Sequence, residues 1–497
     1  MAFTENGAPS LATTQSARVN LFFKLNREKL EDSNHWLKPL IDQSWNESQV
    51  DTLRILFHAR DPRGGKGERK LFIDAMEYIC QMNYDSFSRN LKHIPTFGRW
   101  LDIVELHSRL IVAASSENAC RACREIEELL ANQLQTDHTT YITNETNPNI
   151  SLLAKWFPGE GKKWDNTVLR KAICSKLFNS ASKREFARLR KEYISPLRFH
   201  LSIVESQMCE KQWQKIDYSR VPSVAMNRLK KAFLKHDPSR FKEWIAEMKE
   251  KKGIHTDQLF PHEIIHQFLN HTHREDSDLK ELLSLQWASI VDTHRPYFNE
   301  HTIALADVSG SMAGTPMEVS IALGLLVSTI SGNPLITFSE NPTLHNVDFN
   351  KTLEEQIESI AAMNWGQNTD FEKVMELLLT YLTEKDDNKK EEWTIFVFSD
   401  MQFDNAMFYN NVEKPQIYFE RMKGKFAEKE IPFPRIIFWN LRGETSDFPC
   451  EESEMGVSLL SGYSPSLFKL FLSGEQLTPY TTMRLAIDAE RYSSALF

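Results

Sequence analysis

The sequence predicts an all-helical N-terminal domain followed by a C-terminal α/β domain with a doubly wound parallel sheet. Before residue 297, apolar side chains recur at helical spacing, as in the segment 71–79. After about residue 300, short apolar runs alternate with helical segments, a pattern typical of strands covered by helices on both faces. We therefore predict a disordered tail over 1–20, a helical domain over 21–297 and an α/β domain over 298–497.

The elements of the α/β domain follow from the order of these runs. The predicted strands are Thr302–Ala306, Leu335–Phe338, Trp393–Phe398 and Arg435–Trp439. The predicted helices between and around them cover 315–331, 351–363, 370–384 and 415–427. Because parallel strands need crossover connections, this order favours a parallel sheet, and ligands of such sheets gather beyond the carboxyl ends of the strands.

Three segments at these carboxyl ends carry oxygen donors. The first strand runs directly into Asp307, Ser309 and Ser311, Thr369 precedes a predicted helix, and Asp400 follows a long apolar strand. Carboxylate and hydroxyl oxygens are suitable ligands for a small hard cation such as Mg²⁺. The alternative is a Ser/Asp turn that caps the 315–331 helix, which explains the first segment but not the other two.

These five residues resemble the metal-ion-dependent adhesion site of the von Willebrand factor A domain. The resemblance implies that Ser309, Ser311 and Thr369 bind the ion directly, and that Asp307 and Asp400 bind it directly or through water. It also implies Mg²⁺, or else Mn²⁺ or Ca²⁺, as the cofactor. An acidic group of a partner protein, or a phosphate ligand, would take the open position on the ion.

The N-terminal half carries a second resemblance. Residues 94–106 are similar to a helix junction in the HEAT-like helical repeats of Ro autoantigen-type proteins. Residues 61–69, 194–198, 216–223 and 438–442 resemble a Ro-related family known as a domain of unknown function. The resemblance implies a helical repeat domain joined to a von Willebrand A domain, in a ribonucleoprotein that binds small noncoding or structured RNA.

The charge distribution separates the two halves. Residues 151–240 contain 20 Lys and Arg against 8 Asp and Glu, a net charge of +12 in a chain of net charge −9. Residues 301–497 contain 15 basic and 29 acidic residues, a net charge of −14. A basic block inside a helical domain indicates a polyanionic ligand, and an acidic domain suits a cation site.

Two predicted helices and one loop arrange basic side chains for contact with phosphates. The candidate RNA-binding residues are Arg63, Lys66, Arg69, Arg184, Arg188, Lys191, Arg198, Arg228, Lys231 and Lys235. Parallel basic stripes on helices bind a phosphate backbone without sequence specificity. The alternatives are solvated helix faces and, for the Gly-rich segment 63–69, a tight turn between helices.

One motif favours an enzyme. His262, Glu263 and His266 form a His-Glu-x-x-His sequence, which on a helix can hold Zn²⁺ with the glutamate as general base. No correctly spaced third ligand follows, although His271 and His273 lie nearby. Pro261 makes Glu263 a first-turn residue, where a carboxylate is favourable for helix-dipole reasons alone. We therefore predict no catalytic residues and keep zinc hydrolysis as an alternative.

The remaining composition favours an intracellular scaffold. Six irregularly placed cysteines predict no disulfide framework, and neither a signal peptide nor a bilayer-spanning run is evident. We expect a cytoplasmic protein without membrane contact, with nuclear or exported locations left open. The predicted function is non-enzymatic RNA binding combined with metal-dependent recruitment of an acidic partner. The main alternative is a protein-interaction scaffold without RNA.

Overall fold

The computed structural model describes residues 2–3, 9–27, 34–112, 116–143, 148–251, 253–270, 276–338, 342–363, 371–385, 391–401, 415–443, 448–471 and 477–493. Thr369 of the predicted metal site lies outside these residues, as do His271 and His273. None of the described helices is both long and apolar enough to cross a bilayer.

The described part of the chain before residue 295 is helical apart from a two-residue ladder between β1 (Ala2–Phe3) and β2 (Pro9–Ser10). The α-helices of this part are α1 (Ala17–Lys24), α2 (Asn34–Glu47), α3 (Gln49–Arg60), α4 (Arg69–Met82), α5 (Tyr84–Leu91), α6 (Ile94–Phe97), α7 (Trp100–Val112) and α8 (Glu117–Thr143). They continue with α9 (Leu153–Trp156), α10 (Thr167–Phe178), α11 (Lys183–Arg188), α12 (Ser195–His200), α13 (Val204–Cys209), α14 (Ser223–His236), α15 (Pro238–Lys251), α16 (Pro261–Leu269) and α17 (Ser277–His294).

The C-terminal part contains a six-stranded sheet. Its strands are β3 (Thr302–Asp307), β4 (Leu335–Phe338), β5 (Thr343–His345), β6 (Thr394–Ser399), β7 (Arg435–Asn440) and β8 (Val457–Ser461), in the spatial order β5-β4-β3-β6-β7-β8. The helices here are α18 (Thr315–Ser331), α19 (Leu353–Ala361), α20 (Phe371–Glu384), α21 (Pro415–Glu428) and α22 (Pro479–Ile487). α18 packs closely on the sheet, because a Cβ added at Gly324 would lie 2.8 Å from Leu335 Cδ1.

The prediction of helices followed by an α/β sheet is confirmed, with one correction to the sheet. All neighbouring pairs among β4, β3, β6, β7 and β8 are parallel, but the edge strand β5 pairs antiparallel with β4, so the sheet is mixed. The predicted strands β3, β4, β6 and β7 are present within one residue of their expected bounds. β5 and β8 were not predicted from the sequence.

The helical and sheet regions share one hydrophobic core. The main cluster of buried apolar side chains runs from Val19 in α1 to Tyr492 near the end of the described chain. α1 and α22 pack on β8, and α22 also packs on α3. The predicted disorder of residues 1–20 is wrong for residues 9–20, where Leu11 pairs with Phe448 and α1 begins at Ala17. The edge strand β8 is therefore packed against the N-terminal helix α1.

Candidate functional site

The carboxyl edge of β3 and β6 brings the two predicted acidic metal ligands together. Asp307 ends β3, Asp400 follows β6, and the two strands are parallel neighbours. Asp307 Oδ1 accepts from the backbone N–H of Ser309 at 2.9 Å, and Ser309 Oγ lies 3.0 Å from Ser311 Oγ. Four of the five predicted ligands therefore occupy one edge of the sheet, and the fifth, Thr369, lies outside the described residues.

The electrostatics of this edge suit a cation. Asp307 and Asp400 are buried, and burial together with the charge of Asp400 raises the pKa of Asp307 to about 7. Ser399 Oγ donates to Asp307 Oδ2 at 2.6 Å, which fixes the carboxylate. Two neighbouring buried carboxylates repel each other, and a divalent ion among these oxygens would remove that repulsion. The donor set thus fits Mg²⁺ chemically.

Arg442 borders the same loop. It follows β7, and its Nη1 donates to the carbonyl oxygen of Ser311 at 2.7 Å. The side chain of Asn440, at the end of β7, accepts from the backbone N–H of Arg442 at 2.8 Å and so shapes this turn. A positive charge therefore lies beside the predicted metal site.

A buried lysine joins the same edge of the sheet from the helical region. Ser399 pairs with Asn440 and Asn440 with Ser461 across β6, β7 and β8. Lys66 Nζ donates to Ser461 Oγ at 2.6 Å and to the carbonyl oxygens of Leu25 and Phe22. Burial lowers the pKa of Lys66 to about 7, partly offset by Glu68. Lys66 thus connects the Gly-rich loop to the sheet.

The three predicted phosphate-binding cations of the Gly-rich loop lie in different environments. Lys66 is fully buried, so it cannot contact RNA in this fold. Arg69 donates to Asp102 and Glu105. The loop is a tight turn between α3 and α4, because a Cβ at Gly65 would lie only 1.8 Å from the carbonyl oxygen of His58. Of the three predicted cations, only Arg63 is exposed.

Nine of the twenty cations of the basic block line a large open cavity of about 2480 Å³, together with three cations from outside the block. Its lining includes twelve basic residues: Arg63, Lys92, Arg99, Lys155, Lys162, Arg170, Lys183, Arg190, Lys191, Arg198, Arg220 and Arg228. Only four acidic residues, Glu160, Glu205, Glu210 and Asp257, line it. Aromatic residues are interspersed, and the Arg99 guanidinium lies 5.1 Å from the ring centroid of Trp156. The cavity is a cationic, partly aromatic surface.

The lining of the cavity comes from two stretches of chain that contribute to different hydrophobic cores. Residues between 62 and 199 supply the first part, in which the buried Phe97 and Leu189 belong to the main core. Residues between 203 and 258 supply the second part, in which Val221 belongs to a separate cluster around Phe233 and Phe241. Ten of the basic residues lie in the first part and two in the second.

Four of the predicted RNA-binding residues line this cavity: Arg63, Lys191, Arg198 and Arg228. Two of these already have partners, since Arg198 donates to the carbonyl oxygens of Ala154 and Phe157 and Arg228 pairs with Glu205. The predicted residues that are exposed but do not line the cavity are Arg184, Arg188, Lys231 and Lys235. The sequence prediction therefore found the correct region but only part of the surface.

A change of helix type explains part of the difference between the predicted RNA-binding residues and the residues that line the cavity. The predicted helix over 183–198 contains a π-helical segment, Leu189–Ile194, between α11 and α12. Pro196 has no N–H, and the N–H of Ser195 bonds to the carbonyl of Arg190, five residues earlier. The wider turn changes the direction of the side chains, and Arg190 and Lys191 both line the cavity. Regular helical spacing of about 3.6 residues per turn did not predict Arg190 as a residue of this surface.

The three residues of the His-Glu-x-x-His motif lie on α16, each in a different environment. His262 is buried, and burial together with Arg27 lowers its pKa to about 3. Glu263 Oε2 accepts from the N–H of Phe260 at 3.0 Å, and His266 Nδ1 lies 2.7 Å from Glu318 Oε1 in α18. Within the described residues, no three His, Cys, Asp or Glu side chains form a metal-binding group.

Comparison with known proteins gives a family. Residues 4–121 and 103–296 match a domain of unknown function, DUF2828, and residues 301–492 match a second one, DUF7788. An uncharacterized protein of Acanthamoeba polyphaga mimivirus, L728, is 31% identical over 515 residues, which cover 97% of this chain and 86% of the viral protein. The chain belongs to the DUF2828 family, so the predicted membership of a family of unknown function is confirmed, while the relation of that family to Ro-type proteins stays a prediction.

Proposed function

We propose that the protein is a non-enzymatic RNA-binding scaffold that also holds a ligand through a divalent cation. The observation that carries the RNA proposal is the cavity in which twelve Lys and Arg residues meet four acidic ones. Such an excess, in a chain of net charge −9, concentrates an electrostatic attraction for a polyanion at one place. The interspersed aromatic side chains favour a nucleic acid over a simple anion, because they offer faces for bases.

Salt dependence of binding tests this proposal. Each cation that neutralises a phosphate of single-stranded RNA contributes about 0.7 to the slope of log affinity against log salt. Replacement of Lys183, Arg190 and Lys191 by Glu should weaken binding of fluorescent oligouridine at least about tenfold and reduce the slope by about 2. Fluorescence anisotropy between about 50 and 200 mM NaCl measures both quantities.

A matched control uses the exposed cations that do not line the cavity. The triple Glu variant of Arg184, Lys231 and Lys235 makes the same change in net charge, but none of these residues lines the cavity. It should retain most of the wild-type affinity and slope. Equal losses in the two triple variants would contradict the cavity as the RNA site. No RNA binding by the wild-type protein would favour the protein-interaction scaffold.

The second proposed component is a Mg²⁺-dependent adhesion site of the von Willebrand A type. It is supported by the two buried carboxylates and two hydroxyls on one sheet edge, and by the resemblance of their sequence pattern. Ser309, Ser311 and Asp307 would hold the ion, together with Asp400 and Thr369. Arg442 beside the loop suits a partner with a carboxylate or phosphate group.

Thermal stabilisation by Mg²⁺ tests the metal site without any knowledge of the partner. A ligand at about 100 times its Kd stabilises the folded state by about 2.7 kcal/mol. Mg²⁺ should therefore raise the Tm of the wild-type protein but not that of the Ser309→Ala, Ser311→Ala variant. Ser453→Ala, an exposed serine before β8 at the opposite sheet edge, is the control. An equal Mg²⁺ response in all three proteins would contradict the site.

A further inference from the structure

The turn after β7, residues 440–443, lies between the helical region and the predicted metal site. On one side, Asn26 Nδ2, just beyond the end of α1, donates to the carbonyl oxygen of Asn440 at 2.9 Å. On the other side, Arg442 Nη1 donates to the carbonyl oxygen of Ser311 at 2.7 Å. This turn therefore contacts both the end of α1 and the loop that carries two of the predicted metal ligands.

The side of the turn that faces α1 is closely packed. Asn26, Asn440 and Leu441 are fully buried. A Cβ added at Gly443 would lie 3.1 Å from the carbonyl oxygen of Asn26, so a larger residue would push the turn away from α1. The carbonyl oxygen of Asn440 also accepts from the N–H of Gly462 at 3.2 Å. Because unpaired buried polar groups are costly, these bonds hold the turn in place against α1.

The side of the turn that faces the metal loop depends on Arg442. The short 3₁₀ turn Gly310–Met312 closes through a bond from the N–H of Met312 to the carbonyl oxygen of Ser309 at 3.0 Å. The carbonyl oxygen of Ser311 is not part of that bond and instead accepts from Arg442. The bond from Arg442 fixes the backbone at Ser311, on which the position of the Ser311 hydroxyl depends.

We infer that Asn26 and Arg442 are positioning residues of the metal site, and that the turn over 440–443 makes metal binding depend on the position of α1. This inference rests on the proposed metal site and adds how that site is held. Neither residue needs to touch the ion, because an outer partner that orients a metal ligand commonly changes metal affinity by about 10–100-fold. Coupling of this kind is reciprocal, so a bound ion also holds the turn more firmly against α1.

The sign of the effect at Arg442 separates positioning from simple charge. The guanidinium lies beside the predicted ion site, so its positive charge alone would disfavour a cation there, and Arg442→Met would then strengthen Mg²⁺ binding. We expect instead that Arg442→Met raises the apparent Kd for Mg²⁺ at least about tenfold, and that Arg442→Lys, which keeps a donor, recovers most of the affinity. The dependence of the Tm on Mg²⁺ concentration gives the apparent Kd of each full-length variant.

Asn26 and Gly443 provide a test without any change of charge. Asn26→Ala removes the donor to Asn440, and Gly443→Ala pushes the turn away from Asn26. Each variant should raise the apparent Kd for Mg²⁺ about tenfold. The matched control is Asn333→Ala, because Asn333 Nδ2 donates to the carbonyl oxygen of Thr302 at the other end of β3. This control should lose stability without a change in Mg²⁺ affinity.

The outcomes separate this inference from the proposed metal site. An unchanged or lower Kd in Arg442→Met, or an unchanged Kd in both neutral variants, would overturn the inference and leave the metal site standing, as would an equal loss of affinity in Asn333→Ala. Arg442 is half-buried, so its variants keep the test decisive even where a variant at the buried Asn26 does not fold. Absence of any Mg²⁺ response in the wild-type protein would overturn both.

Discussion

Charged side chains are buried at the carboxyl end of the sheet, where the predicted metal ligands lie, but exposed in the cavity. At the sheet edge, Asp307, Asp400 and Lys66 are buried, and hydrogen bonds fix the carboxylate of Asp307 and the ammonium of Lys66. In the cavity, Arg190 and Lys191 are exposed on a helix surface. Buried charges are costly unless they are paired, so the fold depends on their geometry. Exposed charges cost little and can be dedicated to a ligand.

The largest effect of this difference in burial is expected at Lys66. Lys66→Met should lower the free energy of unfolding by about 3 kcal/mol, because it leaves buried acceptors at Leu25, Phe22 and Ser461 without their shared donor. Urea denaturation followed by circular dichroism measures this. Arg63→Met changes an exposed cation in the same loop and should stay within about 0.5 kcal/mol of wild type. Equal stabilities would contradict the buried contact between loop and sheet.

The same contrast explains which features the sequence could predict. β3, β4, β6 and β7 are apolar runs, so their positions were predicted, and their parallel order places Asp307 and Asp400 at one edge. β8 contains Ser458 and Ser461, whose buried hydroxyl groups are hydrogen-bonded to Thr482 and Lys66. β5 is a three-residue edge strand without an apolar run. Both strands depend on tertiary partners that the local sequence does not reveal.

The cavity was less predictable for a related reason. A basic block is visible in the sequence, but the surface on which its members meet depends on helix phase and packing. The π-helical segment at Leu189–Ile194 changes that helix phase, and Arg198 donates to the backbone carbonyl oxygen of Ala154. Lys92, Arg99 and Arg63 come from outside the basic block. Topology fixes a site at strand ends, whereas a site on helix faces requires the tertiary structure.

A smaller effect is expected at His262, whose pKa is lowered to about 3 by burial. Because the unfolded state has a pKa near 6.5, it binds more protons than the folded state between pH 6.5 and 3, so stability falls as pH falls through this window. The unfolding free energy of the wild-type protein should therefore fall by about 2 kcal/mol relative to His262→Phe between pH 7 and 5. His236→Phe alters an exposed histidine and should parallel wild type. Parallel curves for His262→Phe would contradict a buried neutral imidazole.

The smallest effect is expected at Glu263, and it separates a structural motif from a zinc site. Its carboxylate accepts from the N–H of Phe260 at the start of α16, a contact that an amide oxygen can preserve. Glu263→Gln should therefore cost only about 0.3–1 kcal/mol, mainly through the helix dipole, as measured by urea denaturation. Zinc analysis by mass spectrometry gives an independent measure. Stoichiometric zinc in the wild-type protein, lost in His266→Ala together with a hydrolytic activity that Glu263→Gln also abolishes, would replace the structural interpretation by an enzymatic one, because it would require a third ligand to complete the site.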